Sequence, residues 1–169
     1  REIPWDCGAF PTDAAIDAIS AATAMIAVVT PNNPTGAVAQ AEDLRRLSDA
    51  APQSLLLVDL AYTEFAEEDL TPDALSLPNA LVVRTLSKAW GLAGLRVGYA
   101  VGPVEVIDAL RAVGGPYTVS AASISIAKSR LAAGDGDVAG YADRIRSERL
   151  MIGGTIQELG GSALPSEAN

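Results

Sequence analysis

Residues 80–101 read ALVVRTLSKAWGLAGLRVGYAV, and this stretch decides the fold class. Two short apolar runs, 80–84 and 95–101, flank a polar segment with a lysine and a loop with two glycines. Apolar runs of this length, bounded by turn residues, are typical of buried strands. The stretch therefore predicts two strands, with polar side chains where the first strand ends.

Two further apolar runs precede this stretch, Met25 to Thr30 (MIAVVT) and Ser54 to Asp59 (SLLLVD). Helical patterns alternate with the four predicted strands and then follow them. They cover Thr12 or Asp13 to Ala22, Ala41 to Ala51, Val104 to Val113, Ser120 to Ala133 and Val138 to Leu159. Short buried strands that alternate with helices predict an α/β fold with a mostly parallel sheet.

Composition excludes several classes of function. The 169 residues are 49% hydrophobic, which suffices for a sizeable core, and the net charge of −9 argues against a nucleic-acid groove. No apolar run approaches the roughly 20 residues that span a bilayer, and no signal peptide is visible. Cys7 is the only cysteine, so we expect no internal disulfide and a reducing, cytoplasmic location.

Missing residue types narrow the chemistry. The chain has no histidine, which excludes a Ser-His-Asp triad and a histidine metal site within it. Neither a G-x-x-x-x-G-K-[ST] loop nor a G-x-G-x-x-G segment after a strand is present, which disfavours a nucleotide-binding domain.

Polar residues follow three of the predicted strands. Asn33 lies in the loop after the first strand, Asp59 ends the second, and Thr85-Leu86-Ser87-Lys88 follows the third. Ligands of open α/β sheets bind at the carboxyl ends of the strands. These residues therefore predict a single site.

Lys88 is the candidate reactive group. A lysine amine that attacks a carbonyl has to be neutral, which partial desolvation and nearby cations favour. Lys88 lies between an apolar strand and an apolar loop, and Arg96 follows eight residues later. The alternative is an ordinary surface lysine. Lys128, the second lysine, is assigned to a solvated helix face.

The other site residues each have two interpretations. Asp59 could pair with a protonated pyridine nitrogen, or it could cap a helix that begins near Leu60. The Tyr62 phenol could donate a hydrogen bond to an oxygen on the same pyridine ring, or Tyr62 could be an ordinary half-buried tyrosine. Thr85, Ser87 and Arg96 suit a phosphate group, although Arg96 could equally pair with a surface carboxylate.

Three ordered segments give the sequence a family resemblance. VVTPNNPTGAV (28–38), LLLVDLAYTEF (55–65) and VVRTLSKAWGLAGLRVGYAVG (82–102) resemble the cofactor-binding segments of class I/II aminotransferases. GPYTVS (115–120) is similar to the Pro-Tyr-x-Val-Ser segment of the histidinol-phosphate aminotransferase branch. The resemblance implies the three-layer α/β/α large domain of a fold-type I enzyme, with a mostly parallel sheet.

The same resemblance implies the domain organisation. Residues 1–136 would form the central part of the large domain, and residues 137–169 a long linking helix and the start of a small C-terminal domain. Arg1 and the polar tail from Ser162 to Asn169 favour a chain truncated at both ends. The resemblance also implies a homodimer.

The cofactor that the resemblance implies is pyridoxal 5′-phosphate (PLP). Lys88 would bind it covalently and shuttle the proton. The remaining contacts would be Asn33 to the ring hydroxyl, Asp59 to the ring nitrogen, Tyr62 to the ring oxygen, and Thr85, Ser87 and Arg96 to the phosphate.

The implied reaction transfers an amino group between histidinol phosphate, or an aromatic amino acid, and a 2-oxo acid such as 2-oxoglutarate. A decarboxylase of phosphorylated amino acids and a non-catalytic fragment are the alternatives.

The sequence differs from the family pattern in several places. Leu60 stands where many relatives have an acidic residue. The family's earlier glycine-rich turn and ring-stacking residue, and its later substrate-binding arginine, are absent. We therefore expect the isolated chain to be inactive and self-associating or marginally soluble. Ala80–Val83 and Leu95–Val101 would then be partly exposed or paired with another chain.

Overall fold

The computed structural model describes residues 1–115 and 117–169, and its centre is one mixed sheet. The strands lie in the order β1 (Met25–Val29), β2 (Leu55–Asp59), β3 (Ala80–Thr85) and β4 (Gly98–Val101). The pairs β1–β2 and β2–β3 are parallel, whereas β4 runs antiparallel to β3. The predicted mostly parallel sheet is confirmed. The GPYTVS segment (115–120), which carries the resemblance to the histidinol-phosphate branch, includes Pro116. Pro116 lies outside the described residues.

The five predicted helices all occur in the described residues, in the predicted order. None of them combines the length and apolar character needed to cross a membrane. Short 3₁₀ turns cover Thr63–Phe65 and Ala93–Leu95. The α-helices are α1 (Thr12–Asp17), α2 (Ala41–Ala50), α3 (Thr71–Leu75), α4 (Val104–Val113), α5 (Ala121–Ala132) and α6 (Gly136–Glu158).

The predicted first helix is too long. It ends at Asp17 rather than Ala22, because Ser20 and Thr23 bond each other's backbone and side chains in a turn. Neither Thr12 nor Asp13 is its N-cap, since Pro11 occupies that position. The Thr12 hydroxyl instead donates to the carboxylate of Asp43 on α2.

Two other elements differ from the prediction. The short helix α3 was not predicted; Pro72 lies in its first turn, where a missing N–H costs nothing. The strand predicted to begin at Leu95 begins at Gly98, because Ala93–Leu95 form a 3₁₀ turn and Arg96 has a left-handed backbone (φ 55°).

One face of the sheet forms the core. Side chains alternate along a strand, so Leu56 and Val58 of β2 point to the same side, and both are buried. Leu44 and Leu47 of α2 are fully buried in the same cluster. This core fixes β1, β2 and β3 in parallel register.

The opposite face and the β4 edge are more open. Met25 is 53% exposed, and on β4 Tyr99 and Val101 are 46% and 42% exposed. The expected exposure is therefore confirmed for β4. It is wrong for Ala80 to Val82, which are buried because β3 pairs with a strand on each side and contacts α3.

The core assignment predicts unequal costs for two leucine truncations. Leu44→Ala should lower the free energy of unfolding by about 2–5 kcal/mol, because it opens a cavity between α2 and the sheet. Leu110→Ala on α4, where the leucine is 44% exposed, is the matched control and should cost well under half as much. Urea unfolding measures both, and equal costs would contradict the packing.

Candidate active site

Three loops leave the sheet at the carboxyl ends of its parallel strands. They cover residues 31–37 after β1, 60–66 after β2 and 86–92 after β3. The register pairs Val29 with Asp59 and Asp59 with Val83, so these strand ends lie side by side. Each loop carries at least one of the predicted site residues.

The loop after β1 is held by its own hydrogen bonds. The buried Thr30 hydroxyl accepts from the Ala39 amide (2.9 Å), and the Asn32 side chain donates to the Thr35 hydroxyl (2.8 Å). The Asn32 amide also donates to the Ala37 carbonyl (2.8 Å). These bonds fix the loop and leave Asn33 exposed at its tip.

The turn after β2 begins at Asp59. Its Oδ1 atom accepts a hydrogen bond from the Ala61 amide (3.0 Å), so the carboxylate stabilises a local turn and not a long helix. Among the described residues, Asp59 forms no ion pair. Tyr62 follows, only 8% exposed, with its ring near Phe65 (6.5 Å between centroids).

Three of the predicted site residues meet above this turn. The Asn33 side-chain amide donates to the Tyr62 phenol oxygen (3.0 Å). The Lys88 Nζ atom lies 4.9 Å from the centroid of the Tyr62 ring, which is within the range of a cation–π contact. Lys88 is itself exposed, so its amine rests on the ring while remaining open to a reactant.

The loop after β3 brings the two predicted hydroxyl residues together. The Ser87 amide donates to the Thr85 hydroxyl (3.1 Å). Asp59 pairs with Val83, and Thr85 lies two residues farther along β3, so Thr85 and Asp59 point to the same face of the sheet. Both side chains are partly exposed there.

Arg96 is not seen in contact with these hydroxyls. Its guanidinium is exposed and donates to the carbonyl of Ala93 in its own loop (3.2 Å). The next residue, Val97, accepts a backbone hydrogen bond from Leu86 (3.0 Å), so the backbone at Arg96 runs beside the Thr85–Ser87 segment. The phosphate-binding role of Arg96 stays a prediction. Lys128 is exposed on α5, as the sequence predicts.

Sequence reasoning missed Glu64 and Trp90. The Glu64 carboxylate accepts from the Trp90 indole (3.0 Å) and pairs with Arg84 of β3 (2.9 Å). Glu64 lies two residues after Tyr62, and Trp90 two residues after Lys88, so both sit inside the segments quoted above. Their proximity in sequence to the site was the available signal.

A neighbouring carboxylate, that of Asp69, has a lowered pKa. Partial burial acts to raise that pKa, but the hydrogen bonds from Thr71 and Thr63 and the charge of Arg84 outweigh it. Asp69 therefore adds negative charge next to Arg84, which lies 3.8 Å away.

A model of one protein family, aminotransferase class I and II, matches residues 9–169. The chain belongs to this family. Curated relatives agree: the aromatic amino acid aminotransferases of Mycobacterium avium and Cutibacterium acnes are each 39% identical, over 99% and 93% of the chain. The chain spans about half the length of these relatives, 48% and 46% respectively.

Solved aminotransferase structures share the fold. Histidinol-phosphate aminotransferase from Sinorhizobium meliloti, solved with PLP, is 29% identical with a TM-score of 0.77 and covers 86% of this chain and 41% of its own. A Thermus thermophilus aspartate aminotransferase mutant is 27% identical with the same TM-score and covers 95% and 47%. The predicted fold class of the aminotransferase family is confirmed.

The loop that carries Asn33 predicts a severe effect of one small substitution. A Cβ atom at Gly36 would overlap the side chain of Ser166, and Gly36 has a φ of 71°. Gly36→Ala should therefore cost more than the roughly 1–2 kcal/mol of left-handed backbone strain alone.

Gly8→Ala is the matched control, because Gly8 has a φ of 75° and open space around its Cβ position. Urea unfolding of both variants separates steric clash from backbone strain. An equal loss of stability would show that the C-terminal segment does not pack against this loop.

Proposed function

We propose that the chain forms the cofactor-binding half of a PLP-dependent aminotransferase, an enzyme that moves an amino group between an amino acid and a 2-oxo acid. The observation that carries this proposal is the cluster of Asn33, Tyr62 and Lys88, with the amine of Lys88 4.9 Å from the Tyr62 ring. Membership of the aminotransferase family supports it.

The donor set of the site fits PLP. Asn33 and Tyr62 offer an amide and a phenol 3.0 Å apart, which suits the oxygen on the pyridine ring. Asp59 has a carboxylate without an ion-pair partner in the described part of the chain, which suits a protonated ring nitrogen. The hydroxyls of Thr85 and Ser87, together with Arg96, suit the phosphate.

When bound, PLP supplies an electron sink next to the carbon that exchanges its amino group. Lys88 would hold the cofactor through its amine and, once displaced by the amino substrate, would move a proton at the substrate α-carbon. Asp59 would keep the ring nitrogen charged. Asn33 and Tyr62 would orient the ring by their bonds to its oxygen.

For the amino substrate we favour an aromatic amino acid, with a 2-oxo acid such as 2-oxoglutarate as acceptor. Support comes from the curated relatives, which are named aromatic amino acid aminotransferases and are 37–40% identical. Histidinol phosphate is the second candidate, because the Sinorhizobium meliloti enzyme is named for it. The decarboxylase alternative has weaker support, because the L-threonine-O-3-phosphate decarboxylase from Porphyromonas gingivalis is 24% identical and shares the fold alone.

The organisation of the whole enzyme remains part of the proposal. Residues 1–136 would belong to the large domain, and 137–169, which include most of α6, would link to the small domain. We also propose a homodimer, as the family resemblance implies, and a cytoplasmic location, which the single cysteine favours.

The assignment of Lys88 predicts one site of covalent labelling. In the full-length protein, incubation with PLP followed by borohydride reduction should attach the cofactor to Lys88 and leave Lys128 free. Peptide mapping by mass spectrometry locates the label. A label on Lys128, or none on the peptide that contains Lys88, would refute the assignment.

The phosphate role predicts a selective effect of Arg96→Ala. The substitution should weaken PLP binding by about tenfold or more, since it removes a charge-assisted contact, while kcat at saturating PLP falls less. Arg111→Ala is the matched control on α4, where Arg111 is exposed and pairs with Asp108. An Arg96→Ala variant with unchanged PLP affinity would contradict the role.

A further inference from the structure

The carboxylate of Glu64 accepts hydrogen bonds from two other segments of the chain, and it has no role in the proposed chemistry. One of its oxygens, Oε1, accepts from the Trp90 indole Nε1 (3.0 Å) and from Arg84 Nη2 (2.9 Å). The Glu64 side chain is only 12% exposed and that of Arg84 13%. A nearly buried carboxylate with two donors on one oxygen has a fixed position.

The two segments that meet at Glu64 are the ones that carry Tyr62 and Lys88. Glu64 lies in the 3₁₀ turn that directly follows Tyr62, and Trp90 lies two residues after Lys88. The hydrogen bond between them spans 26 residues of sequence. It therefore fixes the distance between the loop after β2 and the loop after β3.

The turn around Glu64 is itself held rigid by α6. The guanidinium of Arg146 donates to the carbonyls of Glu64 (2.9 Å), Phe65 (3.2 Å) and Ala66 (2.6 Å). The ring of Tyr141 on the same helix packs edge-on against Phe65, with centroids 5.9 Å apart. Movement of the Lys88 loop relative to this turn is therefore limited by the bond between Trp90 and Glu64.

Lys88 needs such a constraint more than a buried residue would. Its side chain is exposed, and its contact with the Tyr62 ring does not by itself fix the loop that carries it. The efficiency of a reacting group depends on its orientation, and a displacement of about 1 Å can cost about a hundredfold in rate.

We propose that Glu64 is a positioning residue that holds the Lys88 amine in place over the Tyr62 ring by accepting the hydrogen bond of the Trp90 indole. This inference rests on the proposed function of Lys88. Glu64 acts through Trp90 and touches neither cofactor nor substrate.

The experiment measures how fast the cofactor-free, full-length protein attaches PLP to Lys88, detected by borohydride trapping and peptide mapping at saturating PLP. Trp90→Phe removes the donor and keeps an aromatic ring, whereas Glu64→Leu removes the acceptor. Each should slow attachment by about tenfold, and the double variant should be no slower than either single variant. Glu64→Gln keeps an oxygen acceptor and should restore the rate to within about threefold of the wild type.

Two matched controls separate positioning from general stability. Trp5→Phe removes an indole that bonds the Gly8 carbonyl, and Glu68→Gln changes an exposed carboxylate in the same acidic stretch. Both should attach PLP at the wild-type rate. A merely structural role of Glu64 would lower the midpoint of urea unfolding but leave the attachment rate of the folded protein unchanged.

The outcomes distinguish this inference from the proposed function. If the wild-type protein attaches no PLP at Lys88, the proposed function fails, and the inference fails with it. If the wild type attaches PLP and Trp90→Phe does so at the same rate, the positioning role alone is overturned. Should Glu64→Leu not fold, Trp90→Phe and Glu64→Gln still decide the question.

Discussion

The parallel pairing of β1, β2 and β3 is the constraint on which the site depends. Parallel strands in register end at the same edge of the sheet, so the loops that follow them become neighbours whatever their distance in sequence. Asn33 precedes Tyr62 by 29 residues, and Tyr62 precedes Lys88 by 26. Asn33 nevertheless donates a hydrogen bond directly to Tyr62. The buried face, with Leu56 and Val58 against α2, maintains that register.

Tyr62 has two roles that its position makes compatible. Its ring is buried among Phe65 and residues of α6, which fixes its orientation, while its phenol oxygen reaches Asn33 and one ring face meets the Lys88 amine. A tyrosine suits this place because it combines an apolar body with a polar tip. The core on this side of the sheet thus supports the site directly.

Much of this arrangement could be predicted from the sequence because it depends on local patterns. Short apolar runs predict β1 to β3, which the structure confirms, and the position of Asp59 and Lys88 at strand ends predicts the candidate site. The start of β4 could not be predicted, since the left-handed backbone at Arg96 interrupts an apolar run that reads as strand. The end of α1 was decided by competing hydrogen bonds of Ser20 and Thr23.

Contacts between residues far apart in sequence could not be predicted, for a different reason. The bonds from Glu64 to Arg84 and Trp90 join residues 20 and 26 positions apart, and nothing in the spacing of an acidic, a basic and an aromatic residue requires that they meet. The same holds for Arg146. It donates to the carbonyls of Phe65 and Glu64, which lie more than 80 positions earlier in the chain.

A crystal structure of the full-length protein grown with PLP tests the central claim most directly. The account predicts continuous electron density from the Lys88 side chain to the cofactor, with Tyr62 and Asn33 at the ring oxygen and Asp59 at the ring nitrogen. A cofactor bound elsewhere, or Lys88 pointing into solvent away from Tyr62 with PLP present, would contradict it.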